Sequence, residues 1–139
     1  MLREGGRALL VLLLAALAFK LVAALTVERE DPLAAWPTSD ALYYVERARG
    51  LLGLKADPLA REAYHLPPLY PWVLAAVPGV QTGSWAGVRV LQAVAGTLAL
   101  AGVYRLSRRR GSRAAALIAV GLTGLYGPLT FYQTRLLGD

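Results

Sequence analysis

Three long apolar stretches, residues 8–27, 85–106 and 114–134, dominate the chain, and a basic turn, Arg108-Arg109-Arg110-Gly111-Ser112-Arg113, joins the last two. A bilayer core is about 30 Å thick, and a helix crosses it with roughly 20 apolar residues. Each stretch meets that length. Lipid offers no partner for backbone N–H and C=O groups, so a spanning segment must bond them internally, as a helix does. The expected fold is therefore all-α and integral to the membrane, with three transmembrane helices in one unit covering residues 1–139. A charged fraction of 17% beside a hydrophobic fraction of 56% argues against a soluble core.

The net charge of +6 does not form one basic face. Seven arginines sit in two short segments, residues 1–7 and 105–113. That distribution orients a membrane protein and does not suit a phosphate backbone, so no nucleic-acid partner is expected. Short cytoplasmic segments carry the excess of Lys and Arg. The N-terminus and the 107–113 loop are then cytoplasmic, and residues 28–84 form an outer loop. That loop carries seven acids and five bases, a net charge opposite to its flanks. A second reading makes the N-terminus a signal peptide, with Ala16-Leu17-Ala18 as the cleavage site. The apolar run resumes after Lys20 to the length of a full crossing, which favours a retained span. The chain has no cysteine, so it holds no disulfide and no Cys-based zinc site.

Two juxtamembrane helices are expected in the outer loop. The first covers about residues 40–52 and stops at Gly53. Thr38 or Ser39 can cap it, and Asp40 suits the positive end of its dipole. Ala41, Tyr44, Val45, Ala48, Leu51 and Leu52 form an apolar face; Tyr43, Glu46, Arg47 and Gly50 form the other. The second covers about residues 68–77 and is too short to span, so it reads as interfacial or re-entrant, anchored by Tyr70 and Trp72. Its rival reading as a span would place the arginine turn outside. In the third span, Gly121, Gly124 and Gly127-Pro128 point to close packing and a bend.

Asp40 is the sharpest chemical candidate. A carboxylate at a helix N-terminus stays ionised and suits a general base, although the same position serves a mere dipole partner. Lys20 lies inside the first span, where a charge must face the interface, a polar interior or a lipid phosphate. Arg89 and Arg135 sit near the outer ends of their spans, as interfacial anchors or as holders of a departing phosphate. His65 is the only histidine and makes no metal site alone. Asp40 and Asp139 offer oxygen ligands that suit magnesium or manganese, and whether a divalent cation is used stays open.

The order of these features carries a resemblance. The chain reads Asp40-x-x-x-Tyr44-x-Glu46, then Tyr64-x-Leu66-Pro67-Pro68-Leu69-Tyr70-Pro71, then Gly87-Val88-Arg89-Val90-Leu91-Gln92, and closes on Gly127-Pro128-x-x-x-Tyr132-x-x-x-Leu136-Leu137-Gly138-Asp139. This series resembles the N-terminal part of the C-type membrane glycosyltransferases. It is similar to the bacterial branch, glycosyltransferase family 39, related to protein O-mannosyltransferases and to the aminoarabinose transferases of lipid A. The resemblance implies an inverting enzyme of the bacterial inner membrane. It would take a sugar from a polyprenyl-phosphate carrier and pass it to a glycan, lipid or protein acceptor on the outer side. Asp40 and Asp139 match the family's two outer-loop acids, as catalytic groups and as any metal's ligands. Lys20, Tyr44, Arg89 and Arg135 are the residues expected to bind the substrate or its lipid phosphate. Ala41 follows Asp40 where the mannosyltransferase branch often has an acid, which weakens protein O-mannosylation as the activity. The family continues through further spans, so a chain ending at Asp139 is expected to be an inactive shortened form. The alternative class is a non-catalytic membrane scaffold or subunit. A transporter would need more polar groups deep in the spans than Lys20.

Overall fold

The computed structural model describes residues 2–30, 36–37, 39–56 and 66–136. These form seven helices: α1 (Leu2–Glu30), α2 (Ser39–Leu51), α3 (Leu69–Ala76), α4 (Gly79–Thr82), α5 (Ala86–Arg110), α6 (Arg113–Gly124) and α7 (Gly127–Thr134). No strand occurs among the described residues. Two helices are long and apolar enough to cross a bilayer, residues 6–30 and Ala86–Arg110. The α6–α7 pair makes a third if it counts as one span.

Helix limits follow the local chemistry. The 29 residues of α1 run past both edges of the expected span because nothing there breaks a helix. α5 likewise continues through Arg110, so the expected loop over 107–113 shrinks to Gly111-Ser112. Gly111 is extended, and the Ser112 side chain then caps α6 by accepting from the Ala115 N–H at 3.2 Å. α2 stops as expected. Gly53 takes φ 67, Leu54 N–H reaches the Arg49 carbonyl and Gly53 N–H the Gly50 carbonyl, both at 3.0 Å, which is the Schellman closure. The expected bend in the third span is 50°, between Gly124 and Gly127. Pro128 supplies its cause: it lacks an N–H and its ring would meet the carbonyl four residues back.

α1 and α5 run antiparallel, with α6 and α7 alongside. One apolar cluster joins Ala16, Leu100 and Val120, flanked by Leu9, Leu12, Leu13, Val103 and Tyr104. It lies towards the arginine turn. A second cluster, at the opposite end, joins Ala41, Tyr44, Val45 and Ala48 of α2 to Leu74, Val80, Trp85, Val88 and Leu136. The surface helices are thus stapled to one end of the bundle. The other faces of the long helices expose Val11, Leu14, Val22, Leu98, Ile118 and Leu122. So much apolar surface on three helices needs lipid around it.

α3 has eight residues, about 12 Å of helix, and cannot span. It buries Pro71 and Leu74 and exposes Trp72. After it, Pro78 caps the one-turn α4, and the chain doubles back into α5. At Gly79 an added Cβ would stand 2.8 Å from the Ser84 carbonyl oxygen and 3.2 Å from the Trp85 ring. Gly79→Ala is expected to destabilise the protein by about 1–3 kcal/mol, as overpacking does. Thermal unfolding followed by tryptophan fluorescence measures it.

One face assignment on α2 needs correcting. Ala41, Tyr44, Val45 and Ala48 are buried as the periodicity predicts, but Arg47 is buried with them and Leu51 is exposed. Arg47 Nε donates to the Tyr43 hydroxyl at 3.4 Å, and its guanidinium lies 5.7 Å from the Tyr43 ring centre. A long aliphatic stem and an aromatic neighbour let a cation occupy that position.

Candidate functional site

The polar groups gather at the end of the bundle opposite the arginine turn. Asp40 lies in the first turn of α2 and is exposed. Ser39, just before it, takes φ 46, a left-handed conformation uncommon for a residue with a side chain. Thr38, the other expected cap, lies outside the described residues. One turn beyond Asp40, Tyr44 is buried against the second cluster. Burial pushes the Tyr44 phenol above its ordinary pKa, and the nearby charges of Asp40 and Tyr43 push it further. Tyr44 therefore stays neutral beside the carboxylate.

From Tyr44 the contacts run inward. Its ring meets that of Tyr70 edge-on, at 5.0 Å between centres and 82° between planes. The Tyr70 hydroxyl accepts from Gln92 Nε2 at 3.3 Å, and the same amide donates to the Arg135 carbonyl at 3.2 Å. One turn earlier on α5, Arg89 Nε donates to the Thr134 carbonyl at 2.8 Å. The Arg89 guanidinium also pairs with the Glu28 carboxylate at the end of α1. The Ser84 hydroxyl donates to the other Glu28 oxygen at 3.4 Å. The carbonyls of Thr134, the last residue of α7, and of Arg135 just beyond it, which no helix turn can satisfy, are thus each bonded by a side chain of α5.

The expected site residues divide by this geometry. Arg89 is 1% exposed and takes an internal carboxylate and an internal carbonyl, so its charge is turned into the bundle. Lys20 is 2% exposed and donates to Gln133 Oε1. It lies two turns further into the bundle than Glu28, about 12 Å along α1. The interior option holds for Lys20, and snorkelling does not. Gln133 fits there because Gly96 has no side chain; a Cβ at 96 would overlap its amide. Arg135 is partly buried, its guanidinium 5.3 Å from the Phe131 ring centre. Asp139, His65 and Tyr64 lie outside the described residues. Among the described residues no three metal-ligating side chains gather.

Glu28, Gln133 and Thr134 were not singled out by the sequence. A signal existed for Glu28 alone: an acid and a base, Glu28 and Arg89, near matching ends of two antiparallel spans. The Gln133 and Thr134 contacts depend on where α7 turns after the bend.

Long lipid-facing helices, a short non-spanning helix and a polar cluster at one end define an integral membrane protein of helical type. A family model for dolichyl-phosphate-mannose-protein mannosyltransferases matches residues 65–137, and the chain belongs to that family of C-type membrane glycosyltransferases. The matched residues take in α3 to α7, with Arg89, Gln92 and Gln133, and leave Asp40 and Asp139 on either side. No curated protein and no solved structure matches the chain.

Proposed function

We propose that this chain supplies the acid-bearing end of an inverting glycosyltransferase that takes its sugar from a polyprenyl-phosphate carrier. Asp40 is the general base. Its carboxylate accepts the proton of an acceptor hydroxyl, the hydroxyl oxygen bonds to the anomeric carbon from the face opposite the lipid phosphate, and the bond from that carbon to the phosphate oxygen breaks. The lipid phosphate leaves with the electron pair. Arg135, at the exit of α7, is the cation nearest that role; Tyr44 backs Asp40 as a neutral wall. Arg89 and Lys20 are left out of the phosphate contact because their charges are taken up inside.

The observation that carries the reading is that Leu136 packs in one cluster with Ala41. Ala41 adjoins Asp40, and Asp139 follows Leu136 by three positions, at most about 11 Å of extended chain. That tether favours two acids at one surface, with Asp139 as supporting acid. Magnesium or manganese would find suitable oxygen ligands in the pair, and no step above depends on one.

The test is Asp40→Asn in the complete reading frame that carries residues 1–139. Loss of transfer with normal insertion supports the reading. Unchanged transfer returns the chain to a scaffold role or to another base. The reading also requires both acids on the side away from the arginine turn. Because the native chain lacks cysteine, single cysteines report sidedness. Gly111 and Lys55 are both exposed. A membrane-impermeant thiol reagent applied to intact cells is expected to label Lys55→Cys and to miss Gly111→Cys.

A further inference from the structure

We infer that Glu28, Arg89 and Gln92 are positioning residues that hold the exit of α7, and with it Arg135, against the Asp40 helix. The inference rests on the proposed roles of Asp40 and Arg135 but on different observations. α7 ends at Thr134, and the next two described residues, Arg135 and Leu136, are not helical. A helix C-terminus leaves carbonyls without intrahelical partners, and such an end frays unless something bonds it. Here two neighbouring carbonyls, of Thr134 and Arg135, are each bonded by a side chain of α5.

Both donors are themselves held. Arg89 pairs with Glu28, which accepts from Ser84 at the entrance of α5. Glu28 thus fixes the guanidinium that fixes Thr134. Gln92 splits its amide between the Arg135 carbonyl and Tyr70, and Tyr70 packs edge-on against Tyr44, one turn from Asp40. The exit of α7 is therefore connected to the Asp40 helix through three contacts and to the end of α1 through two. Two such donors three residues apart on one helix, taking consecutive carbonyls, form a clamp.

The experiment measures distance and activity separately. Cysteines at Leu42, exposed on α2, and at Tyr132, exposed on the last turn of α7, carry spin labels in the otherwise cysteine-free protein. The distance distribution between them is read by pulsed electron resonance, in the complete reading frame and in lipid. Glu28→Gln and Gln92→Leu are each expected to broaden it at least about twofold. In the protein without labels, each is expected to lower kcat about tenfold with KM within about twofold. Gln92→Leu guards against a fold failure, because it removes no charge. Glu28→Asp, which keeps the carboxylate, is expected to restore most of kcat. An unchanged distribution in both variants overturns the clamp, as does a loss confined to KM. If the distribution broadens while Asp40→Asn retains full transfer, the clamp stands and the proposed base falls. If the distribution holds and Asp40→Asn is inactive, the reverse is true.

Discussion

Sugar transfer by the Asp40→Asn protein is expected to fall by about 10²–10⁴-fold, the range supplied by a positioned general base. Asparagine keeps the size and the hydrogen-bonding oxygen of aspartate but takes no proton from an acceptor. It also keeps the favourable place at the start of α2, where short polar residues suit a helix terminus. Since Asp40 is exposed, the substitution removes no packing. Stability and membrane insertion should therefore stay within about 0.5 kcal/mol of the native protein, as for most surface changes. The measurement is single-turnover transfer from a lipid-linked sugar, beside thermal unfolding of the same preparation. A fall in kcat with unchanged unfolding is the expected pair of results. Asp40→Glu, which keeps the charge but shifts it outward, should fall between the two.

Arg89→Met is expected to give the largest loss of stability, about 3 kcal/mol, near the lower end of the range for breaking a buried ion pair. The cost comes from what is left behind. Glu28 would be left without its cation, and the Thr134 carbonyl would lose its donor. The lower end applies because the Glu28 side chain is 28% exposed and can draw on solvent or headgroups. The double variant Glu28→Gln/Arg89→Met should recover more than half of the loss, because no stranded charge remains. Unfolding in a mild detergent or in nanodiscs, followed by tryptophan fluorescence, gives all members of the cycle. Equal losses in the single and double variants would mean that the charge pair contributes nothing beyond packing.

The apolar stretches were legible because a bilayer imposes a length that a sequence displays directly. The stop of α2 at Gly53 and the bend before Pro128 were legible for a similar reason: each depends on the backbone of a single residue. The helix ends at residues 2 and 110 were less so, since charged residues outside the lipid continue a helix as readily as they end it. Periodicity assigns positions by polarity and so puts Arg47 on the outer face, whereas Tyr43 gives this cation a partner that polarity does not display. Arg89 looked like a group awaiting an anion. Its anion, Glu28, lies 61 residues away in the chain, and only the packing of α1 on α5 brings the two together. Asp40 stands out in the sequence by its helix start, and its exposure is what that position predicts. The path from Tyr44 through Tyr70 and Gln92 links three separate segments, and no local pattern announces it.

The two-residue connection at Gly111-Ser112 bears on how the protein enters its membrane. It makes α5 and α6 a tight helical hairpin with three arginines at the tip of its first arm. α5 carries Arg89, Gln92 and Thr97 and is less apolar than α1. Arg89 and Gln92 find their partners on α1, α3 and the exit of α7, so α5 gains by entering lipid together with the α6–α7 segment that follows it. On the proposed orientation, with the arginine turn on the side from which the chain enters, the hairpin would insert as one unit. Lengthening that turn with a flexible polar insert should uncouple the arms and strand part of the newly made chain outside the bilayer.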